Sequence, residues 1–226
     1  MTNCGRRAPR AIGCGIIARS ATTIGHWSYA HWRRRLAAAT AALLVLPAAS
    51  AWGFTFYSCG PGCTPRWPSG RILLYANAEA GDCDLAAMDR AIARWNAALA
   101  RTGAGVRIVL AGRTSDYGLR QNGLSSVALL VARWPRESRL FGWTSLWWRG
   151  GRIVEGDIVF NLHDHRFRCD IPERRGPVAS LEQEMVHELG HFLGLDHART
   201  GIMMPGGYGT AVDPDALEGL RVLYGR

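Results

Sequence analysis

Apolar residues follow two different periods along the chain from about residue 71 onward. Five stretches rich in β-branched and aromatic residues, each bounded by turn-forming residues, predict β-strands. In chain order they read RILLYAN, GVRIVLAG, SSVALLVARW, LFGWTSLWW and GRIVEGDIVFN. Strands of this number and length are within the usual range for one sheet, so we expect a mixed, twisted sheet of about five strands.

Three other segments predict helices. In the first, Asp84 is the expected N-cap, and apolar residues recur at helical spacing at Leu85, Met88, Ile92, Trp95 and Leu99. In the second, Ser180 and Gln183 form a capping box at the start of SLEQEMVHELGHFLG. In the third, Asp213 is the expected N-cap and Pro214 the first helical residue. Strands and helices in this order predict a single-domain α+β fold.

The first 51 residues differ in composition from the rest. They hold seven arginines and neither Asp nor Glu, and a run of three arginines precedes the apolar run LAAATAALLVLPAASA. This order is typical of a secretory signal peptide. The apolar run has only 16 residues and contains Pro47, whereas a membrane-spanning helix needs roughly 20. We therefore expect residues 1–51 to be a leader, with a twin-arginine export route left open, and residues 52–226 to be a secreted or periplasmic domain without a stable membrane anchor.

Removal of such a leader changes the charge and the cysteine count. The full chain has 27 basic and 18 acidic residues, so without the seven leader arginines 20 basic residues stand against 18 acidic ones, a net charge of +2. This near balance gives no indication of a nucleic-acid partner. Four cysteines remain: Cys59, Cys63, Cys83 and Cys169. In an exported chain they favour two disulfides over a zinc cluster, with three pairings open.

The stretch VHELGHFLGLDH, residues 186–197, contains three of the seven histidines. On a helix, His187 and His191 differ by about 40° in direction and lie one turn apart, so both rings can reach one ion. Glu188 then lies beside that ion, where a carboxylate can act as a general base. His197 lies too far along for a continued helix, so the chain has to turn at Gly194, because glycine adopts a positive φ without steric cost. Three imidazoles that leave a fourth position to water are typical of a catalytic zinc rather than of a structural one. Histidines satisfied in a core are disfavoured, because the full motif is rare by chance.

HELGHFLGLDH resembles the zinc signature of the metzincin endopeptidases and is especially similar to that of the matrixin branch. GIMMP, residues 201–205, resembles the Met-turn of the family, with Met203 at the methionine position, although a methionine also serves as core filler. The C-terminal helix and the order of elements fit the family from about Arg71 to the end. The resemblance therefore implies a metzincin (zincin-like) fold with an active-site helix and a Met-turn.

The same resemblance implies a metal centre and a peptide-binding cleft. One catalytic Zn²⁺ would be held by His187, His191 and His197, with Glu188 as the general base. The stretch from about Leu140 to Trp148 would be the edge strand along which a polypeptide substrate binds by strand addition. The pocket beside the zinc would be walled by the segment after Met203, which includes Tyr208.

Two features depart from the family. No room for a propeptide domain exists between Ala51 and Arg71, and YSCGPGC does not match the family's cysteine switch, so disulfides are favoured over a latency thiol at Cys59 or Cys63. Where animal members bind calcium, this chain has NLHDHRF. If the strand continues there, its alternation points His163 and His165 to one side. With Asp164 these residues are a candidate site for a second structural zinc or Ca²⁺, although a solvated loop is the favoured interpretation.

Together these features predict a secreted, disulfide-bonded, monomeric zinc endopeptidase. Two alternatives from other classes stay open. The first is a non-catalytic zinc- or peptide-binding module on the same fold, which the presence of Glu188 disfavours. The second is an amidase that acts on cell-wall peptide links.

Overall fold

A computed structural model describes residues 12–14, 53–130, 132–206 and 209–225, and for residues 12–14 it describes the backbone alone. Most of the predicted leader, residues 1–51, lies outside the described residues, and so does Tyr208. No helix in the described ranges has the length and apolar character needed to cross a membrane.

The main sheet contains the five strands expected from the sequence. They are β3 (Gly70–Asn77), β4 (Val106–Thr114), β5 (Ser126–Leu130), β6 (Gly142–Arg149) and β7 (Arg152–Asn161). A sixth strand, β1 (Ile12–Cys14), extends the sheet, whose order is β1-β6-β7-β5-β3-β4. The pairs β3–β4, β3–β5 and β5–β7 are parallel, whereas β6 is antiparallel to both of its neighbours. The prediction of a mixed sheet is therefore confirmed, and the sixth strand was not expected.

Four short strands form two further pairs that the sequence did not predict. β2 (Thr55–Phe56) pairs with β10 (Leu195–Asp196), and β8 (Arg166–Arg168) pairs with β9 (Val178–Ser180). Strands of two or three residues carry too little apolar periodicity to be recognised in a sequence. The first of these pairs becomes important at the candidate site.

Three helices complete an α+β fold, as predicted: α1 (Asp82–Arg101), α2 (Leu181–Phe192) and α3 (Pro214–Tyr224). The predicted start of α1 is wrong by three residues, because Gly81 is the N-cap and the Asp84 carboxylate accepts the Gly81 N–H at 2.9 Å. An acidic side chain three residues into a helix reaches back in this way. Ser180 and Asp213 are N-caps as expected. The predicted capping box of Ser180 and Gln183 is wrong in its second half, because the Gln183 side chain accepts the Arg174 N–H at 2.8 Å.

Helix α2 lies at the centre of the molecule. Every one of its residues is buried, and its apolar side chains share one core with α1 and the sheet. The indole of Trp95 on α1 donates to the Val186 carbonyl at 2.8 Å, and the indole of Trp67 donates to the Phe192 carbonyl at 2.6 Å. Buried hydrogen bonds of this kind fix the position of α2 as well as its packing.

Two disulfides are present, as predicted, and they pair Cys59 with Cys63 and Cys83 with Cys169. All four sulfurs are bonded to sulfur, which leaves neither a zinc cluster nor a free latency thiol among them. The second bridge joins the start of α1 to a segment 86 residues later. A loop of that size stabilises a fold by about 4–5 kcal/mol in the chain-entropy model.

Candidate metal centre

The structure brings His187, His191 and His197 together. One ligand atom from each lies within 4.8 Å of the other two, and no other cluster of three or more potential ligands occurs in the described part of the chain. His187 and His191 come from consecutive turns of α2, and His197 comes from the segment that follows β10. The convergence expected from the spacing is therefore present.

Gly194 makes the turn between the two parts of this cluster. Its φ is +100°, and a Cβ at this position would lie 2.9 Å from the Pro65 carbonyl oxygen. The Gly194 N–H still bonds to the His191 carbonyl at 2.8 Å, so the turn follows directly on the helix. Both its conformation and its surroundings thus require glycine.

The pairing of β10 with β2 fixes the returning segment. Leu195 lies opposite Phe56 and Asp196 opposite Thr55 in this antiparallel pair. The Thr55 hydroxyl also donates to the His197 carbonyl at 2.6 Å. His197 is therefore held by the first residues after the predicted leader, which its own sequence neighbourhood does not indicate.

Backbone carbonyls orient the two helical imidazoles. Nδ1 of His187 lies 2.6 Å from the Ile202 carbonyl oxygen, and Nδ1 of His191 lies 2.9 Å from that of Leu195. Because a carbonyl only accepts, each Nδ1 carries the proton, and each Nε2 of the neutral ring is left with a lone pair. These two Nε2 atoms are 3.2 Å apart. Ligands about 2.0–2.1 Å from a tetrahedral zinc are separated by about 3.3 Å, so the arrangement fits that metal.

Burial keeps the three rings in the neutral form that binds metals. It lowers the pKa of His187 to about 4, and the pKa of His191 falls well below its ordinary value for the same reason. The pKa of His197 is also lowered, mainly by burial. Removing an imidazolium from water is unfavourable, so each ring offers a lone pair at neutral pH.

Met203 packs against α2 next to the candidate metal centre. Its side chain is 2% exposed, and a Cβ on Gly190 would lie 2.2 Å from its sulfur. The Met203 carbonyl accepts the Ala198 N–H at 2.9 Å. The turn at 201–204 thus contacts the metal centre in two ways. The Ile202 carbonyl orients the His187 ring, and the Met203 side chain packs against α2 at Gly190, between the two helical histidines.

Glu188 is directed from α2 toward the edge of the sheet. It is 1% exposed, and its Oε2 accepts the hydroxyl of Thr144 on β6 at 2.6 Å. A Cβ on Gly142 would lie 2.7 Å from Oε1. Burial raises the pKa of Glu188 to about 8, and the charge of Glu184 adds to this, while the Thr144 hydrogen bond opposes it. A cation beside the carboxylate would favour its ionised form.

Thr144, Gly142 and Gly190 take part in the site, although the sequence did not single them out. Gly142 had a readable signal, because an isolated glycine inside a strand pattern often marks a close approach of another group. Thr144 had none, since a threonine in a strand is ordinary.

The residues of the predicted second metal site lie in a turn, not in the continued strand that the sequence analysis considered. β7 ends at Asn161, and His163, Asp164 and His165 lie in the turn after it, so strand alternation does not align the two histidines. The His165 ring stacks on Phe141 with centroids 4.1 Å apart, and the Asp164 carboxylate accepts the Asn161 amide at 2.9 Å. A second ion here stays a prediction.

β6 contains most of the predicted substrate strand. It begins at Gly142, two residues after Leu140, and extends to Arg149. Its inner edge pairs with β7, and β1 lies antiparallel on its outer edge, with Cys14 opposite Thr144 and Ile12 opposite Leu146. The outer edge of β6 thus accepts a strand at the residue that contacts Glu188.

Comparisons with known proteins add little to this geometry. No protein-family model matches the chain, and no curated protein matches it. Among solved structures, it is similar to high choriolytic enzyme 1, a hatching-enzyme zinc protease from the medaka fish Oryzias latipes, at 18% identity and a TM-score of 0.33. That match covers 63% of this chain, and the chain spans only about half of the fish enzyme, 55% of its length. A similarity this low supports no conclusion about fold or activity.

Proposed function

We propose that this protein is a zinc-dependent endopeptidase of the metzincin type, with the matrixin-like signature noted in its sequence. One observation carries the proposal: three neutral imidazoles, two of them oriented by backbone carbonyls, converge within 4.8 Å beside a buried glutamate. A structural zinc site uses four protein ligands, whereas three leave a position for water or substrate. A carboxylate adjacent to such a centre is the group that peptide hydrolysis requires.

His187, His191 and His197 would hold one Zn²⁺, with Gly194 and Met203 as the supporting residues. When bound, the zinc supplies Lewis acidity, which polarises the scissile carbonyl and acidifies the attacking water. Glu188 accepts a proton from that water and delivers it to the amine of the leaving peptide. The Thr144 hydroxyl holds Oε2 of Glu188, so that Oε1 is the oxygen left for proton transfer.

The substrate in this proposal is a polypeptide that adds to the outer edge of β6 as an antiparallel strand. The pairing of β1 with the same edge supports this choice. A strand in that position passes Thr144, whose side chain contacts Glu188, so a peptide bond is brought beside the general base.

The remaining elements of the proposal are an exported, monomeric domain at residues 52–226 and a cleaved leader at residues 1–51. The two disulfides support export, since disulfides form and persist in oxidising compartments.

The test combines metal analysis with proteolysis of an unstructured protein. We expect one zinc per chain and cleavage that a chelator abolishes. Glu188→Gln should keep the zinc and lose activity by about 10²- to 10⁴-fold, the usual contribution of a general base. Glu218→Gln, at a partly exposed position of α3 where the carboxylate pairs with Arg221, serves as the matched control.

Each other outcome points to a different conclusion. Wild-type cleavage that survives both chelation and the Glu188 substitution would overturn the mechanism. Zinc binding with hydrolysis of cell-wall peptide links alone would identify an amidase, and zinc binding without any hydrolysis would identify a binding module.

A further inference from the structure

Helix α2 carries a buried carboxylate, that of Glu184, which the proposed mechanism does not use. Its side chain is only 6% exposed. Among the described residues, no hydrogen bond and no ion pair within 4.0 Å reaches this carboxylate; the charge of Arg174 acts on it from farther away. An ionised group in such a position is costly unless a cation or hydrogen-bond donor compensates it.

Glu182, on the same turn of α2, is a buried carboxylate whose charge is compensated by ion pairs. Glu182 is 2% exposed, but its carboxylate pairs with Arg90 at 2.5 Å and with Arg94 at 2.7 Å, both from α1. These ion pairs join α1 to α2, and they compensate the charge of Glu182 in its buried position. Nothing comparable in the described part of the fold explains the burial of Glu184.

The helical position of Glu184 directs it toward the proposed cleft. It precedes Glu188 by four residues, which corresponds to about 40° in direction and about 6 Å along the axis. Glu188 points to Thr144 and Gly142 at the start of β6. Glu184 therefore lies on the same side of α2, one turn farther toward its N-terminus, and its charge raises the pKa of Glu188.

Arg174, the cation whose charge acts on Glu184, already contacts other groups. The Arg174 guanidinium lies over the Phe141 ring, 4.7 Å from its centroid, and its Nε donates to the Gly176 carbonyl at 2.9 Å. Arg174 shifts the pKa of Glu184 downward, although burial dominates and raises it to about 7. The region beside Glu188 thus holds a buried acidic group, and Arg174, the arginine whose charge acts on it, is bound to other partners.

We propose that Glu184 determines substrate specificity, by receiving the cationic side chain of an arginine or lysine that flanks the cleaved peptide bond. This inference rests on the proposed endopeptidase function. A guanidinium or ammonium group forms a charge-assisted hydrogen bond with the carboxylate and compensates its burial. A neutral side chain leaves the carboxylate uncompensated, and an acidic side chain adds repulsion.

The test compares substrates that differ only in one charge. Peptides with a single cleavable bond carry arginine, its uncharged isostere citrulline, leucine or glutamate at the residue before or after that bond, and kcat/KM is measured for each. The wild-type protein should prefer arginine over citrulline by about ten- to hundredfold at one of the two positions, the range for hydrogen bonds to charged groups. Glu184→Gln should keep the zinc and lose that preference, measured as the ratio of its own rates on arginine and citrulline peptides.

Glu218→Gln is the matched control and should keep the wild-type preference. A binding measurement gives a second readout: the zinc-loaded Glu188→Gln protein should bind the arginine peptide more tightly than the citrulline peptide, and addition of Glu184→Gln should remove the difference. Because each comparison is a ratio within one protein, partial unfolding of a variant does not affect it.

Three outcomes would overturn the proposal. They are equal wild-type rates on arginine and citrulline peptides at both positions, an arginine preference that persists in Glu184→Gln, and loss of the preference in Glu218→Gln as well. If the wild-type protein cleaves none of the peptides, the endopeptidase proposal itself fails, and the specificity proposal fails with it.

Discussion

Replacement of Gly194 by alanine tests whether the turn, rather than the histidines alone, makes the centre. The substitution removes no candidate ligand and adds one methyl group. At φ +100° an L-residue is strained, at a cost of about 1–3 kcal/mol. The new Cβ also meets the Pro65 carbonyl oxygen at 2.9 Å, a backbone atom that cannot rotate away. Overpacking of this kind adds about 1 kcal/mol or more.

The expected loss of unfolding free energy is therefore about 2–4 kcal/mol. For a domain of this size, each kcal/mol lowers the melting temperature by about 2–4 °C. Any backbone shift at Gly194 also moves the segment that delivers His197. Loss of support for a ligand typically weakens metal binding by about 10- to 100-fold, so we expect a weakening of that order.

The assay pairs thermal unfolding of the chelator-treated protein with competitive zinc titration. Gly103→Ala is the matched control, because Gly103 has a φ of +71° but nothing lies within 4 Å of the Cβ position. It should cost about 1–2 kcal/mol from backbone strain and leave the zinc affinity unchanged. If the two variants have equal stability and both bind zinc as the wild type does, the role assigned to Gly194 is refuted.

Two further predictions concern other parts of the fold. Asp157 is buried, and its Oδ1 accepts the Ser126 N–H at 2.9 Å, whereas its Oδ2 has no hydrogen-bond partner among the described residues. Burial raises the pKa of this carboxyl to about 7. Because the unfolded chain ionises near the ordinary value while the folded protein keeps its proton, this group stabilises the fold at low pH and loses up to about 4 kcal/mol of that effect as pH rises from 4 to 7. Urea unfolding of the chelator-treated wild type and Asp157→Asn should therefore give a stability difference that changes with pH by that amount; a constant difference would contradict the assignment. Because Ile12–Cys14 pairs with the outer edge of β6, the full chain should hydrolyse peptide substrates more slowly than a chain that starts at Gly53. Equal initial rates would show that this pairing does not compete with substrate.

The site was predictable from the sequence where its geometry is local. The four-residue spacing of His187 and His191 fixes their relative direction on any helix, and the need for a turn before His197 follows from the same arithmetic. The caps Ser180 and Asp213 were readable because an N-cap bonds to backbone groups only two or three residues away. The start of α1 was placed wrongly because an aspartate near a helix start suits the N-cap and the third helical position equally well, and Asp84 occupies the third position.

Other parts of the site depend on contacts between residues far apart in sequence. The tautomer of His187 is set by Ile202, and the orientation of Glu188 by Thr144, which lies 44 residues away. The partner of Cys83 is 86 residues away. Sequence periodicity does not predict which distant residues will pair, because many different folds could bring the same residue types into contact.

Glu182 and Glu184 show the division most clearly. By itself, the sequence determined that both glutamates lie in the first turn of a helix that continues to the histidines, because hydrophobic spacing and a serine cap specify that helix locally. Only the tertiary structure decided that two arginines of α1 neutralise the first, whereas the second is buried beside Glu188 without such a pair. The physical reason is that a helix fixes the direction of its side chains, but the groups they meet there, and hence the cost of burying their charge, are set by the packing of distant elements.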